Sequence, residues 1–369
     1  MTGPAFDRTF GVEEELLLVD PDTGIPRPLG DSVVRSAGGE DDDTPGGVEH
    51  ELKRQQVELG TEPRHDLAGV GEDLRRLRRR LDTAARRHGL RLAALATSPL
   101  AVTPLSTEDE RYERMLAEYG LTAAELLVNG SHIHVSVESL DEAVGVLDRV
   151  RPWLAVLTAL SANSPFWQGA DSGYASYRQR AWSRWPSAGP TELFGDPTGY
   201  RDAVERMVSC GAAMDEGMVY FDARASRLWP TVELRVCDVC LDVDHAVVLA
   251  GLGRGLVETA AREWREGVPP APVRVEVLRG AAWRAARSGV RDTLVDPVTA
   301  TAVVASEQVQ RLLDHVTPAL TDYGDLDRVR DGVERILAGG TGADAQRRSL
   351  DEQGSLEGVV REAVSRTVA

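Results

Sequence analysis

The sequence predicts an α+β fold in which a mainly antiparallel sheet carries polar side chains on one face and helices cover the other. Extended segments alternate with helices, but without the regular strand–helix rhythm of a parallel sheet. Four of the extended segments alternate polar and apolar residues, as a sheet buried on one side requires. Toward the C-terminus, helical periodicity takes over. The chain has 369 residues, 42% of them hydrophobic and 27% charged, which is enough to bury a large core. Neither an internal repeat nor a linker interrupts it, so residues 1–369 are read as a single domain.

The first strand is GVEEELLLVD at 11–20, and three consecutive glutamates open it. Two carboxylates about 4 Å apart repel by roughly 4 kcal/mol at an effective dielectric near 20. Either a cation lies between them or they lie in water. The following DPDTGIPRPLGDS is turn-rich, and AGGEDDDTPGGVEH reads as an exposed, solvated acidic loop. QQVELGT at 55–61 is the second strand. A helix over 66–89 follows, with Asp66 as N-cap and Leu67, Val70, Leu74, Leu77 and Leu81 at helical spacing. That spacing places the arginines of its RRLRRR on the outer face.

LRLAALATSP at 90–99 reads as a buried strand, and 107–119 as a short helix opened by a Thr-x-x-Glu cap. NGSHIHVSV at 129–137 is another strand. The stretch from Ser139 to Pro165 reads as one long amphipathic helix ended by its proline. Residues 163–198 form a long irregular region rich in arginine and aromatic residues. Loops of that length are functional or disordered, and these tryptophans and tyrosines argue against disorder. TVELRVCDV at 231–239 is the last strand, followed by helices that include 242–266, 273–289 and 343–367.

Composition excludes several classes. A formal net charge of −17 supplies no broad basic surface for nucleic acid. The N-terminus lacks a basic segment followed by an apolar one, and no apolar run is long enough for a bilayer, which points to a cytoplasmic, non-membrane protein. Three cysteines, Cys210, Cys237 and Cys240, cannot make a disulfide framework. Cys237 and Cys240 form a C-x-x-C, but it has neither the strand-to-helix context of a redox pair nor a second pair to complete a zinc site. Both are read as small hydrophobes.

The alternation assigns faces. Glu13 and Glu15 lie together while Glu14 points away; Gln56 and Glu58 share a face, as do His132, His134 and Ser136, and as do Glu233 and Arg235. The apolar side of each strand needs a core, so the polar sides meet on the opposite face. Carboxylates with a little imidazole suit hard divalent ions such as Mg²⁺ or Mn²⁺. Strand residues at i and i+2 stand roughly 6 to 7 Å apart, so Glu13 and Glu15 can serve two separate ions. Such ions clamp the phosphates of ATP, and neither a Gly-x-x-x-x-Gly-Lys-Ser/Thr loop nor a Gly-x-Gly-x-x-Gly turn offers another nucleotide site.

The motifs GVEEELLLVD, VELGTEP, NGSHIHVSV, SPFWQGADSGYASYR and TVELRVCDV, in this order, resemble the carboxylate-amine ligases related to glutamate-cysteine ligase type 2. The resemblance spans nearly the whole chain. It implies a glutamine synthetase-like fold, a curved antiparallel sheet whose concave face is a funnel for ATP, magnesium and the acyl substrate. By resemblance, Glu15 and Glu58 hold one magnesium, with Glu51 joining them although a straight strand would turn it to the other face. Glu13, His132 and Glu233 hold a second; His134 bonds an ATP phosphate; Arg235 stabilises the transferring phosphoryl group. Arg178 and Arg184 bind the substrate carboxylate or phosphates, and Trp167, Tyr174 and Tyr177 either shape the pocket or only pack it. The implied reaction joins the γ-carboxylate of glutamate to cysteine or a related amine through an acyl phosphate, in a protein that the family suggests is a homodimer. A phosphotransferase acting on a small acid or guanidine, and a nucleotide binder without turnover, stay open at this stage.

Overall fold

The computed structural model describes residues 7–38 and 47–369. Most of the acidic loop, 39–46, lies outside the described residues. The strands are β1 (Phe10–Val19), β2 (Gly47–His50), β3 (Gln56–Gly60), β4 (Arg91–Ala93), β5 (Gly130–Ser136), β6 (Phe166–Trp167), β7 (Ala170–Asp171), β8 (Ala223–Ala225) and β9 (Thr231–Asp238). Seven of them form one sheet in the order β2-β3-β1-β5-β9-β8. Short β4 pairs with the far end of β1, beyond the reach of β5, and every pairing is antiparallel. The expected α+β architecture is the one found.

One face of this sheet is apolar. Val12, Leu16, Val57, Leu59, Ile133, Val135, Val232 and Leu234 are buried in a single core with Leu67, Val70, Leu74, Leu77 and Leu81 of the helix Leu67–Arg87. Asp66 caps that helix by accepting from Gly69 N at 2.8 Å, so both the predicted stripe and the predicted cap are present. The helix Val243–Arg265 lies directly on the sheet. A Cβ on its Gly253 would stand 3.0 Å from Ile133 and 3.3 Å from Leu234, so glycine is what lets the helix backbone approach so closely. Helices Ala305–Tyr323 and Leu326–Gly339 add a further layer.

The opening glutamates divide between the two faces. Glu14 points into the core, fully buried, and meets Arg78 through two hydrogen bonds of 2.8 and 2.7 Å. Arg78 also donates to the carbonyls of Cys240 and Leu241, at 2.7 and 3.1 Å. This corrects the expectation for RRLRRR, since Arg78 is 0% exposed. A leucine-spaced helix that packs over a buried carboxylate has to turn one cation inward.

Other expectations are also revised. The strand at 90–99 shrinks to β4, because the carbonyls of Ala94 and Leu95 are taken by the side-chain amides of Asn163 and Asn129, at 2.9 and 2.6 Å, rather than by a neighbouring strand. The helix from Ser139 is interrupted. Leu140–Val150 ends in a short 3-10 turn at Arg151–Trp153 before Leu154–Ser161 resumes, because Pro152 cannot donate a helical hydrogen bond. The helix at 107–119 starts at Glu110 with Asp109 as its cap, Thr107 being used elsewhere. At the C-terminus, Gly354 in the left-handed region divides Gly342–Gln353 from Leu356–Thr367. Cys237 and Cys240 are free and buried, and burial pushes the Cys237 thiol up to about 12, as small hydrophobes should be. Among the described residues, no helix is long and apolar enough to cross a membrane.

Candidate active site

Strand register assembles the polar face. Directly opposed residues of antiparallel neighbours share a side of the sheet, and the pairs are Glu15 with Glu58, Glu13 with His132, His134 with Glu233, and Glu233 with Arg224. All of these residues, with Arg235 and Glu51, line a cavity of about 370 Å³ whose remaining wall includes Tyr112, Trp182 and Tyr220. Five strands separated by up to about 220 residues of chain thereby deliver their polar side chains to one concavity.

Two triads lie side by side in it. Oxygen and nitrogen atoms of Glu13, His134 and Glu233 come within 4.8 Å of one another, and so do those of Glu15, Glu51 and Glu58. The resemblance assigned His132 to the first group, whereas the imidazole that closes it is that of His134. Nδ1 of His134 is 3.0 Å from Thr231 Oγ1, and its Nε2 faces Glu13 Oε1 at 3.2 Å without hydrogen-bond alignment. A neighbour on one ring nitrogen leaves the other free to ligate. His132 lines the same cavity, 3.4 Å from Glu13 and 3.7 Å from Glu233. Burial, helped by Arg235, brings the pKa of His132 down to about 4, so the ring is neutral near pH 7.

Glu51 joins the second triad through a chain reversal. β2 and β3 form a hairpin in which Glu49 opposes Glu58, so Glu51, two residues beyond Glu49, comes round to the same side. The odd spacing to Glu58 describes a straight strand, and the chain here turns. The stretch 105–107 pins that turn: Thr107 Oγ1 donates to the Glu51 carbonyl at 2.6 Å, and Arg54 N donates to the Leu105 carbonyl at 2.8 Å. Buried Lys53 adds a bond to Ser106 Oγ at 2.9 Å.

The electrostatics of the triads differ. Burial pushes the Glu233 carboxyl up, but Arg235, His134 and Arg224 outweigh it and hold the pKa at about 2. Arg224 bonds it at 2.6 Å, and Arg235 pairs with its other oxygen. The second triad has less relief: Gly130 N donates to Glu15 at 2.5 Å, and Arg178 and Arg235 pull on it without pairing. Among the described residues, no basic side chain forms an ion pair with Glu15, Glu51 or Glu58. Burial together with Glu51 raises Glu15 to about 7, and burial with Glu13, Glu51 and Glu15 drives Glu58 well above the usual carboxylate range. Oxygen donors in this arrangement, short of positive charge, fit a hard divalent cation.

A pH signature follows from that deficit. Glu15 binds its proton more tightly folded than unfolded. It therefore stabilises the cation-free fold below about pH 4.5, and this contribution is lost as pH climbs through about 7. Added Mg²⁺ should raise the melting temperature by several degrees at pH 7.5 and by clearly less at pH 5.5. Equal response at both pH values in differential scanning fluorimetry would count against the triad as a cation site.

The remaining candidates are scattered. Arg178, 2% exposed, lies behind Arg235 and reaches toward its carbonyl at 3.4 Å. Arg184 stays outside the cavity and pairs with Glu125 at 3.1 Å. Trp167, Tyr174 and Tyr177 pack on one another, with ring centroids 5.3 and 6.0 Å apart, and do not line the cavity. Sequence reasoning missed Arg224, Arg111 and Asp222, the first two in this cavity and the third in a recess beside it. β8 is only three residues long, too short for alternation to mark Arg224. The irregular region is nonetheless anchored: buried Asp238 accepts from Asn163 N, Ser164 Oγ and Ser176 Oγ at 2.8, 2.7 and 2.7 Å.

Comparison with known proteins places the chain. Residues 9–368 match the profile of Glutamate-cysteine ligase family 2. Proteins named "Putative glutamate--cysteine ligase 2" in Streptomyces coelicolor and Rhodopirellula baltica are similar to it. That of Streptomyces coelicolor is 54% identical over 362 residues, covering 98% of this chain and 99% of that protein. That of Rhodopirellula baltica is 38% identical over 367 residues, covering 98% and 97%. Among solved structures, glutamate-cysteine ligase from Francisella tularensis in complex with AMP aligns at a TM-score of 0.71 and 12% identity, covering 100% of this chain and 89% of that one. A bifunctional glutathione synthetase from Pasteurella multocida aligns at 0.73 and 15%, covering 98% of this chain and 52% of that one. At those identities the structural likeness is one of fold. The sequence matches decide the family: the chain belongs to glutamate-cysteine ligase family 2.

Proposed function

We propose that this protein is an ATP-dependent carboxylate-amine ligase that joins the γ-carboxylate of glutamate to cysteine or a related amine through an acyl phosphate. The observation that carries the reading is the pair of triads on one polar sheet face, flanked by Arg235. Glu15, Glu51 and Glu58 would hold one Mg²⁺, and Glu13, His134 and Glu233 another. Bound there, the ions offset the negative charge of the nucleotide phosphates. An oxygen of the acid attacks the γ-phosphorus and ADP leaves; the amine then attacks the acyl carbon, and inorganic phosphate departs.

The chain's own part is positioning and charge. Arg235, 7% exposed and braced on Glu233, presents a fixed cation where negative charge grows on the transferring group, and such preorganised charge is the largest lever in phosphoryl transfer. The aromatic wall of Tyr112, Trp182 and Tyr220 lowers the local dielectric and keeps water from the acyl phosphate. A second, mainly apolar cavity of about 210 Å³ begins at Glu13 and His134 and runs past Trp229, Pro230 and Pro63, which suits a nucleotide base whose phosphates sit at the first triad.

The test is ADP release from purified protein with Mg²⁺ and ATP, against single amino acids and then pairs, with mass spectrometry of the products. ADP that requires both an acid and an amine, with a new amide mass, is expected. ADP accompanied by a stable phosphorylated acid, or no ADP with any pair, would overturn the reading.

A further inference from the structure

The helix Leu67–Arg87 turns its leucines to the core, and its outer side borders an open groove of about 470 Å³. Arg76, Arg80, Thr83 and Arg87 stand along that side at helical spacing, with Arg79 beside them. Ser36 and Ala37, in the last turn of the helix Gly30–Ala37, close the groove from the other side. From Arg76 to Arg87 the face runs about 16 Å. Four arginines thus line one groove, and among the described residues no acidic side chain lines it.

Other arginines of this helix have acidic partners. Arg75 pairs with Asp244 at 2.5 Å, Arg76 with Asp73 at 2.9 Å, Arg78 with Glu14 at 2.7 Å and Arg86 with Asp82 at 2.8 Å. Arg79, Arg80 and Arg87 form no ion pair among the described residues, and all three face the groove. Two of them are nonetheless held in place by neutral groups. Arg80 donates from Nε to the Ala37 carbonyl at 2.7 Å and from Nη2 to the Gly38 carbonyl at 3.0 Å, and Arg87 Nη1 donates to the Ser36 carbonyl at 3.2 Å. Carbonyls at a helix C-terminus orient a guanidinium without neutralising it. A guanidinium has five N–H donors, so both arginines keep donors for a ligand. The formal net charge of the chain is −17, and this groove reverses that sign locally.

We infer that this groove binds a phosphate-bearing anion of three or more charges, held by Arg79, Arg80 and Arg87 with Arg76 at its edge. Phosphate suits the fork of a guanidinium, which offers it two parallel N–H bonds. The lining contains no aromatic ring on which a base could stack. The groove therefore reads the phosphate chain itself, whether that chain is inorganic or the tail of a nucleotide. It shares no lining residue with the cavity of the two triads, and the inference stands or falls independently of the ligase reading.

The experiment is calorimetric titration of the full chain with inorganic triphosphate at low salt, with EDTA present so that no Mg²⁺ carries the anion to the glutamate triads. Wild type should bind triphosphate at a single site, and orthophosphate about 10-fold more weakly or worse, since fewer charges are read. Arg79→Gln/Arg87→Gln should weaken triphosphate binding about 10-fold or more. The variant should melt within about 2 °C of wild type, because both residues are exposed. Arg330→Gln/Arg361→Gln, which removes two exposed arginines from other helices, should leave binding unchanged. Titration with ATP separates the two sources: a loss equal to that for triphosphate in the groove variant would admit nucleotide tails, and no loss would restrict the groove to inorganic chains. Three results would each overturn the inference: no binding by wild type, an equal loss in the control pair, or binding that appears only when Asp41, Asp42 and Asp43 are replaced by asparagine. The last would make the chain's own acidic run the ligand of these arginines.

Discussion

Glu58→Gln and Glu233→Gln should each lower kcat/KM by about 10²-fold or more, as expected when a group that holds or orients a metal is lost from a phosphoryl-transfer site. Their stabilities should diverge, and the divergence identifies the cause. Glu58 is a carboxyl raised by burial and by three neighbouring glutamates. Its neutral isostere relieves repulsion, so the cation-free variant should melt at or above the wild-type temperature and lose much of the Mg²⁺ response. Glu233 is bonded by Arg224 and Arg235. Its replacement leaves buried Arg235 and half-buried Arg224 underpaired, so Glu233→Gln should melt lower, with or without Mg²⁺. Near-normal turnover in both variants would defeat the assignment of the triads.

The second large effect lies on the other face of the same strand. Glu14→Gln or Arg78→Met should destabilise the fold by about 3 to 5 kcal/mol, the usual result of removing one partner of a buried ion pair. Arg78→Met should be the worse of the two, because the carbonyls of Cys240 and Leu241 lose their donor as well. The double variant Glu14→Leu/Arg78→Met should recover part of the loss. Urea unfolding measures all three. A loss below about 1 kcal/mol for either single variant would mean that the pair contributes little.

The contrast between these positions shows what the sequence could convey. Period-two alternation in GVEEELL, QVELG, SHIHVS and TVELRV identified the polar face because each segment is long enough to repeat, and the registers Glu15–Glu58 and His134–Glu233 follow once the strands pair. Alternation is silent where the chain bends. Glu51 looked misplaced because a hairpin turn, pinned by Thr107, lies between it and Glu58. Arg224 and Asp222 were invisible because β8 has three residues and borrows its register from β9. Arg78 was misread because five arginines within six residues look uniformly solvated, and only the buried carboxylate of Glu14 singles one out. Pro152 was a legible breaker within a strongly amphipathic stretch, and the helical pattern on either side masked it.

The three glutamates of β1 have a last consequence, for how the strand finds its place during folding. Sliding β1 by one residue against β3 and β5 would exchange the faces of every side chain. Glu13 and Glu15 would enter the core with a single arginine to meet them, while Glu14 alone would face the cavity. In the native alignment one carboxylate meets one guanidinium, at 2.7 to 2.8 Å. The shifted alignment buries an uncompensated negative charge whatever cations are present in solution. The buried pair thus sets an energetic penalty on the slipped sheet, and it does so in the absence of any ligand.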